Sequence, residues 1–561
     1  MSTLGKVMGL SSALVFTGML AFGQTSKTEV PKGWHLLDKT KDGFSGISLQ
    51  QAYDFVKEKK LKSNTVLVAV IDSGVDTLHE DLKDILWRNP KEIPGNGIDD
   101  DGNGYIDDVY GWNFLGGKDG RNVKQDSYEG ARVYHTLKTK YAGQTIDTAS
   151  LTGEAKAEYL TWLRAKKSVE GDGGEPSVDL FMLKNALKSA KNSDSVLRIS
   201  LKKDVYTGND LDSFSAVSPA EKSAKGGFLY LFRANQMMES TNKDFINGFE
   251  EFVTGEEKKA EAKEKAPPAY RADIVGDNEA DINDKYYGNP DVMASTPFHG
   301  THVSGIIGAI RNNGKGMDGV ADNVRIMTVR AVPDGDEHDK DIALAIRYAA
   351  DNGAKVINMS FGKGFSPEKT WVDDAVKYAE SKGVLLVHAA GNDAKNVDST
   401  ENYPNPVARA DQYRAPNWIT VGASGDPKAG GITASFSNYG KSEVDVFAPG
   451  VRIYSTIPGG TTYGNAQGTS MASPVVAGAA AFLLSYFPNL TPEQVKYCIE
   501  HSATAPADKV RKPGTDNMVA LSEISKTGGL LNVYEAAKIA STLKQGKPGK
   551  KAKPSMRNKK G

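Results

Sequence analysis

The feature that most restricts this chain is a set of short, unbroken apolar runs rich in β-branched residues. Val66-Leu-Val-Ala-Val-Ile71 stops abruptly at Asp72-Ser-Gly74. Similar runs follow at Val324-Arg-Ile-Met-Thr-Val329, Lys355-Val-Ile-Asn-Met359, Gly383-Val-Leu-Leu-Val-His388, Trp418-Ile-Thr-Val421 and Val444-Asp-Val-Phe447. A strand wetted on one face alternates apolar and polar residues, whereas an unbroken run is covered on both faces, as in a parallel sheet. Helical patterns lie between several runs, at residues 340–352 and 370–382, and another precedes the first at 49–60. This alternation predicts an α/β fold: a doubly wound, mostly parallel sheet flanked by helices, with sites gathered outside the carboxyl ends of its strands.

The rhythm breaks from residue 127 to 270, where the sequence turns Lys/Glu/Ser-rich around amphipathic pieces such as Tyr159-Leu-Thr-Trp-Leu163 and Leu180-Phe-Met-Leu183. It closes on the charged run Glu256-Glu-Lys-Lys-Ala-Glu-Ala-Lys-Glu-Lys265 and Pro267-Pro268, a solvated helix and its stop. We read an inserted, largely helical subdomain. The organisation expected is a signal peptide at 1–23, an N-terminal lead-in at 24–62, the first part of the main domain at 63–126, the insertion at 127–270, the second part at 271–540, and a basic, disordered tail at 541–561. The signal reading rests on Lys6 followed by an uncharged apolar run, with small Ala21 and Gly23 before a cut at Gln24. It implies export to the periplasm, cell surface or medium. A net charge of −1 points to no nucleic-acid partner, and membrane contact is not expected once the signal is removed. The single cysteine, Cys498, excludes a disulfide framework and reads as a buried apolar residue.

Three blocks carry chemistry. Ala69-Val-Ile-Asp-Ser-Gly74 puts an acid where a buried strand meets its exit loop. Phe298-His-Gly-Thr-His-Val-Ser-Gly-Ile-Ile307 puts a histidine ahead of a small-residue helix, where Gly300, Ser304, Gly305 and Gly308 permit close packing. Gly468-Thr-Ser-Met-Ala-Ser-Pro474 puts Ser470 at a helix start, where free N–H groups favour developing negative charge. Serine needs an adjacent base, histidine titrates near neutrality, and a buried aspartate fixes the imidazole tautomer.

These blocks, in the order Asp72, His299, Ser470, resemble the three signatures of subtilisin-like serine proteases, a family of subtilases, here of the bacterial secreted type with a large insertion between Asp and His. The resemblance implies a secreted serine endopeptidase with a subtilisin-like fold and no cofactor required for its chemistry. It implies Asn392 as oxyanion donor, in Ala389-Ala-Gly-Asn392. It further implies that Ser360, Phe361 and Gly362 line one side of the substrate cleft, with Ala389, Ala390 and Gly391 opposite. Protein or peptide substrates would lie there as extended strands. His302 and Ser473 are then structural neighbours of the reacting pair, and His388 a satisfied strand histidine. The segment at 24–62 is short for a folded prodomain, and Trp34 and its followers read as the first strand and helix of the main domain.

A separate signal is Gly97-Ile-Asp-Asp-Asp-Gly-Asn-Gly-Tyr-Ile-Asp-Asp108. Asp99, Asp101 and Asn103 with Gly104 match the start of a calcium loop, but Tyr110 stands where a bidentate Glu closes an EF-hand, so Asp107 or Asp108 would complete the shell. The bland alternative is a solvated acidic loop. A second acidic patch at 277–284 is too irregular to assign. The rival function is a non-catalytic, calcium-dependent binding protein on a protease fold. Its expected sign, a broken set of reacting residues, is absent from the sequence.

Overall fold

Strands that must be covered on both faces need two layers of helices, and the computed structural model has this arrangement. It describes residues 30–171, 179–234, 238, 241–294 and 297–543. The expected signal peptide and nearly all of the basic tail lie outside the described residues. The chain divides into two compact units, one of Gly130–Pro268 and one of the described residues of Ala21–Glu129 and Ala269–Gly561.

The longer strands are β1 (Val66–Asp72), β2 (Gly111–Asn113), β3 (Val324–Arg330), β4 (Val356–Met359), β5 (Leu385–Ala389), β6 (Trp418–Asp426), β7 (Ala429–Thr433), β8 (Val446–Pro449), β9 (Ile453–Ile457) and β10 (Thr462–Ala466). The longer helices are α1 (Leu49–Glu58), α2 (Glu129–Tyr141), α3 (Gly153–Glu170), α4 (Leu180–Leu201), α5 (Gly208–Ser213), α6 (Pro219–Ala234), α7 (Asn242–Glu264), α8 (Phe298–Gly308), α9 (Asp339–Asp351), α10 (Lys369–Ser381), α11 (Thr469–Tyr486), α12 (Pro492–Ser502) and α13 (Val533–Thr542). Every apolar run singled out in the sequence contributes to a strand, and the three helical patterns are α1, α9 and α10.

An eight-stranded sheet runs β2-β3-β1-β4-β5-β6-β7, with β8 also paired to β6. All pairs are parallel except β6–β7. From β1 the chain goes to the edge strand β2, returns to place β3 between them, then crosses to β4 on the other side of β1, so the strand order reverses at β1. A doubly wound sheet opens its crevice at such a point, outside the carboxyl ends of the strands. Asp72 is the last residue of β1.

Alternation along the strands decides which side chains face which helical layer. Val66, Val68 and Val70 of β1 enter one core with α1, α8, α11 and α13, whereas Ala69 and Ile71 enter the other with α9 and α10. Asp72 continues the even-numbered series and therefore turns towards α8 and α11. In β4, Asn358 shares its face with Val356, again towards α11. The helix α11 is the one described helix long and apolar enough to cross a membrane, but 89% of that stretch is buried, which marks it as a core helix.

The lead-in segment belongs to the same core. Trp34 is fully buried and donates its indole N–H to the Val451 carbonyl at 3.1 Å. Where the sequence suggests an opening strand, a 3-10 turn (Trp34–Leu36) stands instead, because Gly33 enters at φ 76°, outside the extended region.

The unit of Gly130–Pro268 is helical, as its amphipathic pieces predict. Its core is aromatic: Tyr206, Phe228, Phe232 and Phe245 are buried together, with Phe228 and Phe232 edge-on at 5.0 Å. Trp162 stacks on Tyr134 at 5.3 Å.

Candidate active site

The aspartate comes to its place because the strand ends there. Its backbone carbonyl accepts Ala331 N–H at 3.0 Å and Val332 N–H at 3.2 Å, and the next residue, Ser73, is tied through its carbonyl to Arg330 Nε at 3.0 Å. Arg330 is buried and also reaches Asn113 and Val123, so one guanidinium braces the exit loop of β1. Burial holds its pKa down to about 10, still far above neutrality.

His299 is the second residue of α8, inside its first turn rather than ahead of it as the sequence reading has it. The helix can come this near because position 300 has no side chain: a Cβ there would collide with the Gly74 carbonyl and stand 3.2 Å from the Asp72 Cβ. Gly305 and Gly308 face Thr456 and Val324 in the same way. His299 Nδ1 lies 2.8 Å and 2.9 Å from the two oxygens of Asp72, which also accepts Ser73 N–H at 2.7 Å. A carboxylate at Nδ1 demands the proton there and leaves Nε2 as the basic nitrogen. Asp72 is 2% exposed and the imidazole 36%, so the acid is sheltered and the base is open to solvent.

Ser470 is the second residue of α11. Pro474, four residues on, has no N–H to offer the Ser470 carbonyl. That carbonyl accepts the Ser360 hydroxyl instead, at 2.9 Å. Ser360 in turn accepts Asn358 Nδ2 at 2.9 Å, and Asn358 Oδ1 accepts the Ser473 hydroxyl at 2.9 Å. This buried chain pins the first turn of the helix to the end of β4. The Ser470 hydroxyl donates to the Ser360 carbonyl at 3.1 Å.

Asn392 follows β5 in an exposed turn. Its Oδ1 accepts the Thr469 backbone N–H at 2.8 Å and the Thr469 hydroxyl at 3.0 Å, so the amide nitrogen is the end left to face the cleft. Gly468, at φ 149°, leaves a small space there. The point where its Cβ would stand is 3.5 Å from Asn392 Nδ2 and 3.6 Å from Ser470 N. Asn392 Oδ1 is 3.7 Å from the same point, so both ends of the Asn392 amide and the Ser470 N–H border the open side of Gly468.

The two segments expected to wall the cleft leave the neighbouring ends of β4 and β5. Ser360 is buried and Gly362 exposed, while Phe361 offers its carbonyl to His388 Nε2 at 2.8 Å. Opposite, Ala389 and Ala390 are buried, and Gly391 turns at φ 98°. Asn438 braces this turn, donating Nδ2 to the Ala390 carbonyl at 2.9 Å and accepting from Asp393 and Lys395 N–H groups. Burial lowers His388 to about 4, against the bond to Phe361. His302, fully buried, is also lowered to about 4 by burial and then by His299, and bonds the Gly464 carbonyl at 3.2 Å. Both rings are thus neutral near pH 7.

Of the acidic loop, the structure groups Asp99 and Asp101 with Glu92, which the sequence pattern did not include. Asp107 turns the other way, accepting the N–H groups of Gly95, Asn96 and Gly97. Asp108 is fully buried and accepts from Asn89, Asn103 and Tyr348. Asn103 spends its own oxygen on Tyr105 N–H. In the second patch, Asp277 pairs with buried Arg271 at 2.9 Å and Lys340 at 2.6 Å, a structural use of the acid.

Sequence reading missed Arg330, Asn358, Thr469, Asn438 and Glu92. Of these, Arg330 carried a signal, as a charge closing a mainly apolar strand.

The sequence profile of the subtilase family (peptidase S8) matches residues 63–521. The thermophilic serine proteinase of Bacillus sp. (strain AK1) is 43% identical over 221 residues, 39% of this chain and 48% of that protein. Subtilisin NAT of Bacillus subtilis subsp. natto is 43% identical over 210 residues, 37% of this chain and 50% of that protein. The extracellular protease of Xanthomonas campestris pv. campestris is 38% identical over 249 residues, 41% of this chain and 40% of that protein. The chain thus spans about half the length, or less, of these relatives.

Proposed function

This chain belongs to the subtilase family, and from that premise we propose that it is an exported serine endopeptidase, hydrolysing peptide bonds in proteins through an acyl-enzyme on Ser470. The substrate lies as an extended strand along Ser360, Phe361 and Gly362, with the residue before the scissile bond between that edge and Ala389, Ala390 and Gly391. Ser470 Oγ attacks the carbonyl carbon and His299 Nε2 takes its proton. Asp72, hydrogen-bonded at Nδ1, holds the ring in position and stabilises the imidazolium. The tetrahedral oxyanion forms beside Asn392 Nδ2 and Ser470 N–H. His299 then gives the proton to the leaving amine, and water repeats the sequence to release the acid.

The observation that carries the reading is the pairing of His299 Nδ1 with both oxygens of buried Asp72, at 2.8 Å and 2.9 Å, which holds a solvent-open imidazole with Nε2 as its basic nitrogen. A fold kept only for binding has no need of a histidine oriented in this way by a buried acid. Export is supported by the apolar, uncharged run after Lys6 and by the name of the Xanthomonas relative. The reading includes a structural calcium ion in the acidic loop, outside the chemistry, supported by the D-x-D-x-N-G pattern from Asp99.

The test is hydrolysis of unfolded casein and of a mixed quenched-peptide library by the full chain and by Ser470→Ala. Cleavage that disappears in the mutant is expected. Equal cleavage by both, or none by folded wild type, would overturn the proposal.

A further inference from the structure

His388 stands near the end of β5, next to the wall formed by Ala389, Ala390 and Gly391, and no step of the chemistry above uses it. Its strand neighbours show which way it points. Leu385 and Val387 enter the core with α11, whereas Leu386 enters the core with α9 and α10, so His388 turns with Leu386. The residue is 1% exposed, and its ring lies 5.3 Å from that of Trp418 in the same core. From there Nε2 reaches the Phe361 carbonyl at 2.8 Å. The ring is neutral and a carbonyl only accepts, so Nε2 carries the hydrogen.

The segment it reaches is the edge along which the substrate lies, and both ends of that segment are clamped. The Ser360 hydroxyl donates to the Ser470 carbonyl at 2.9 Å, and the Ser360 carbonyl accepts the Ser470 hydroxyl at 3.1 Å. Lys363 exchanges backbone hydrogen bonds with Tyr403, both at 2.9 Å. Phe361 and Gly362 lie between these clamps, beyond the last ladder pair of β4, Met359 with His388. Backbone carbonyls of successive residues in an extended chain point to opposite sides. The Ser360 carbonyl faces Ser470 and the Phe361 carbonyl faces His388, so Gly362 turns its N–H and carbonyl to the side of Ser470. A peptide must lie on that side to meet the nucleophile. The imidazole also closes on Gly362 itself: a Cβ there would stand 3.6 Å from His388 Nε2.

We propose that His388 is a positioning residue for the substrate, its Nε2–H fixing the direction in which Gly362 offers its backbone to an extended peptide. The backbone of His388 runs directly into Ala389, Ala390 and Gly391, so this one residue ties one wall of the cleft to the strand that carries the other. Without the donor, the Phe361 carbonyl gains by turning towards water, and Gly362, with no side chain to anchor it, turns too. The inference rests on the endopeptidase reading and says which substrates depend on the brace. They are peptides long enough to run past Ser360 to Gly362.

The experiment compares hydrolysis, by the full chain, of a tetrapeptide anilide and of an N-acetyl amino-acid ester with the same residue before the scissile bond. The ester is too short to reach Gly362. His388→Leu and His388→Phe remove the donor with different bulk, so one reports if the other does not fold. His388→Gln returns an N–H at a similar reach, and circular dichroism checks each fold. In the donor-less variants, KM for the tetrapeptide is expected to rise roughly 10-fold with kcat little changed, the pattern of lost binding. The ester constants move by less than about twofold, and His388→Gln recovers most of the tetrapeptide loss. A folded donor-less variant that handles both substrates as wild type does, or loses both to the same extent, overturns the inference. So does a His388→Gln no better than His388→Leu. A wild type that hydrolyses neither substrate overturns the endopeptidase reading instead.

Discussion

Asp72 and Glu92 are both buried carboxylates in the stretch that opens the α/β unit, yet the fold treats them differently. Asp72 has its oxygens filled from within the chain, by Ser73 N–H and His299 Nδ1. Glu92 has one oxygen filled by the loop and the other left bare. A carboxylate completed by its own chain can act only by orienting what it touches. On the proposed calcium reading of the loop, a carboxylate left incomplete there is completed by the cation. The first region should therefore fail in catalysis when altered and keep its fold, and the second should fail in stability and keep its catalysis.

The strongest test of that contrast is Asp72→Asn. The amide keeps the shape but presents the wrong tautomer to His299, so kcat should fall roughly 10⁴-fold, the magnitude known for serine proteases, with the thermal midpoint nearly unmoved. A large drop in the midpoint would place Asp72 among structural acids instead. Next in size is Asn392→Ala, read by steady-state kinetics on a peptide substrate. Its kcat should fall about 100- to 1000-fold with KM little changed, a range taken from subtilisin itself rather than derived from this chain.

The histidines sharpen the comparison from the acid side. His35, His302 and His388 are buried, and burial lowers them to about 3, about 4 and about 4, against 6.5 unfolded. The unfolded chain binds protons that the folded chain refuses. Their contribution to stability is thus whole above pH 6.5 and is lost as pH falls towards 4, at about 1.4 kcal/mol per pH unit for each ring. The urea midpoint should be lower at pH 5 than at pH 7, and a flat profile would contradict the burial of these rings. Smallest is removal of calcium. A chelator should lower the thermal midpoint by roughly 5 °C while the initial rate of a freshly stripped sample stays the same. An immediate loss of rate would erase the distinction between the two regions.

Much of this was legible before the structure, and the reason is local. β1, β3, β4 and β5 are covered on both faces except at exposed Arg325, so each shows as a mainly apolar run. Asp72, His299, Ser470 and Asn392 each sit in a short motif at the edge of such an element. β2, β7 and β10 were not legible: Gly111-Trp-Asn113, Ala429-Gly-Gly-Ile-Thr433 and Thr462-Tyr-Gly-Asn-Ala466 mix glycine and polar residues with no period. Thr469, Asn358 and Asn438 were missed because their work is done across the fold, with partners distant in sequence such as Ser473 for Asn358. Glu92 lies seven residues before the loop pattern begins, so no spacing rule reaches it. In the unit of Gly130–Pro268 the helices were legible from their amphipathic faces. Its surface ion pairs, such as Arg198–Asp204 and Arg233–Asp212, are exposed and name no partner.

The central claim is that Ser470, His299 and the donors at Asn392 act together on an electrophile. Labelling the full chain with a fluorophosphonate probe and weighing the intact protein tests it most directly. One adduct per chain is expected, placed on Ser470 by peptide mapping, slowed in Asn392→Ala and absent in Ser470→Ala. A folded wild type that takes no label, or a label that persists in Ser470→Ala, would contradict it.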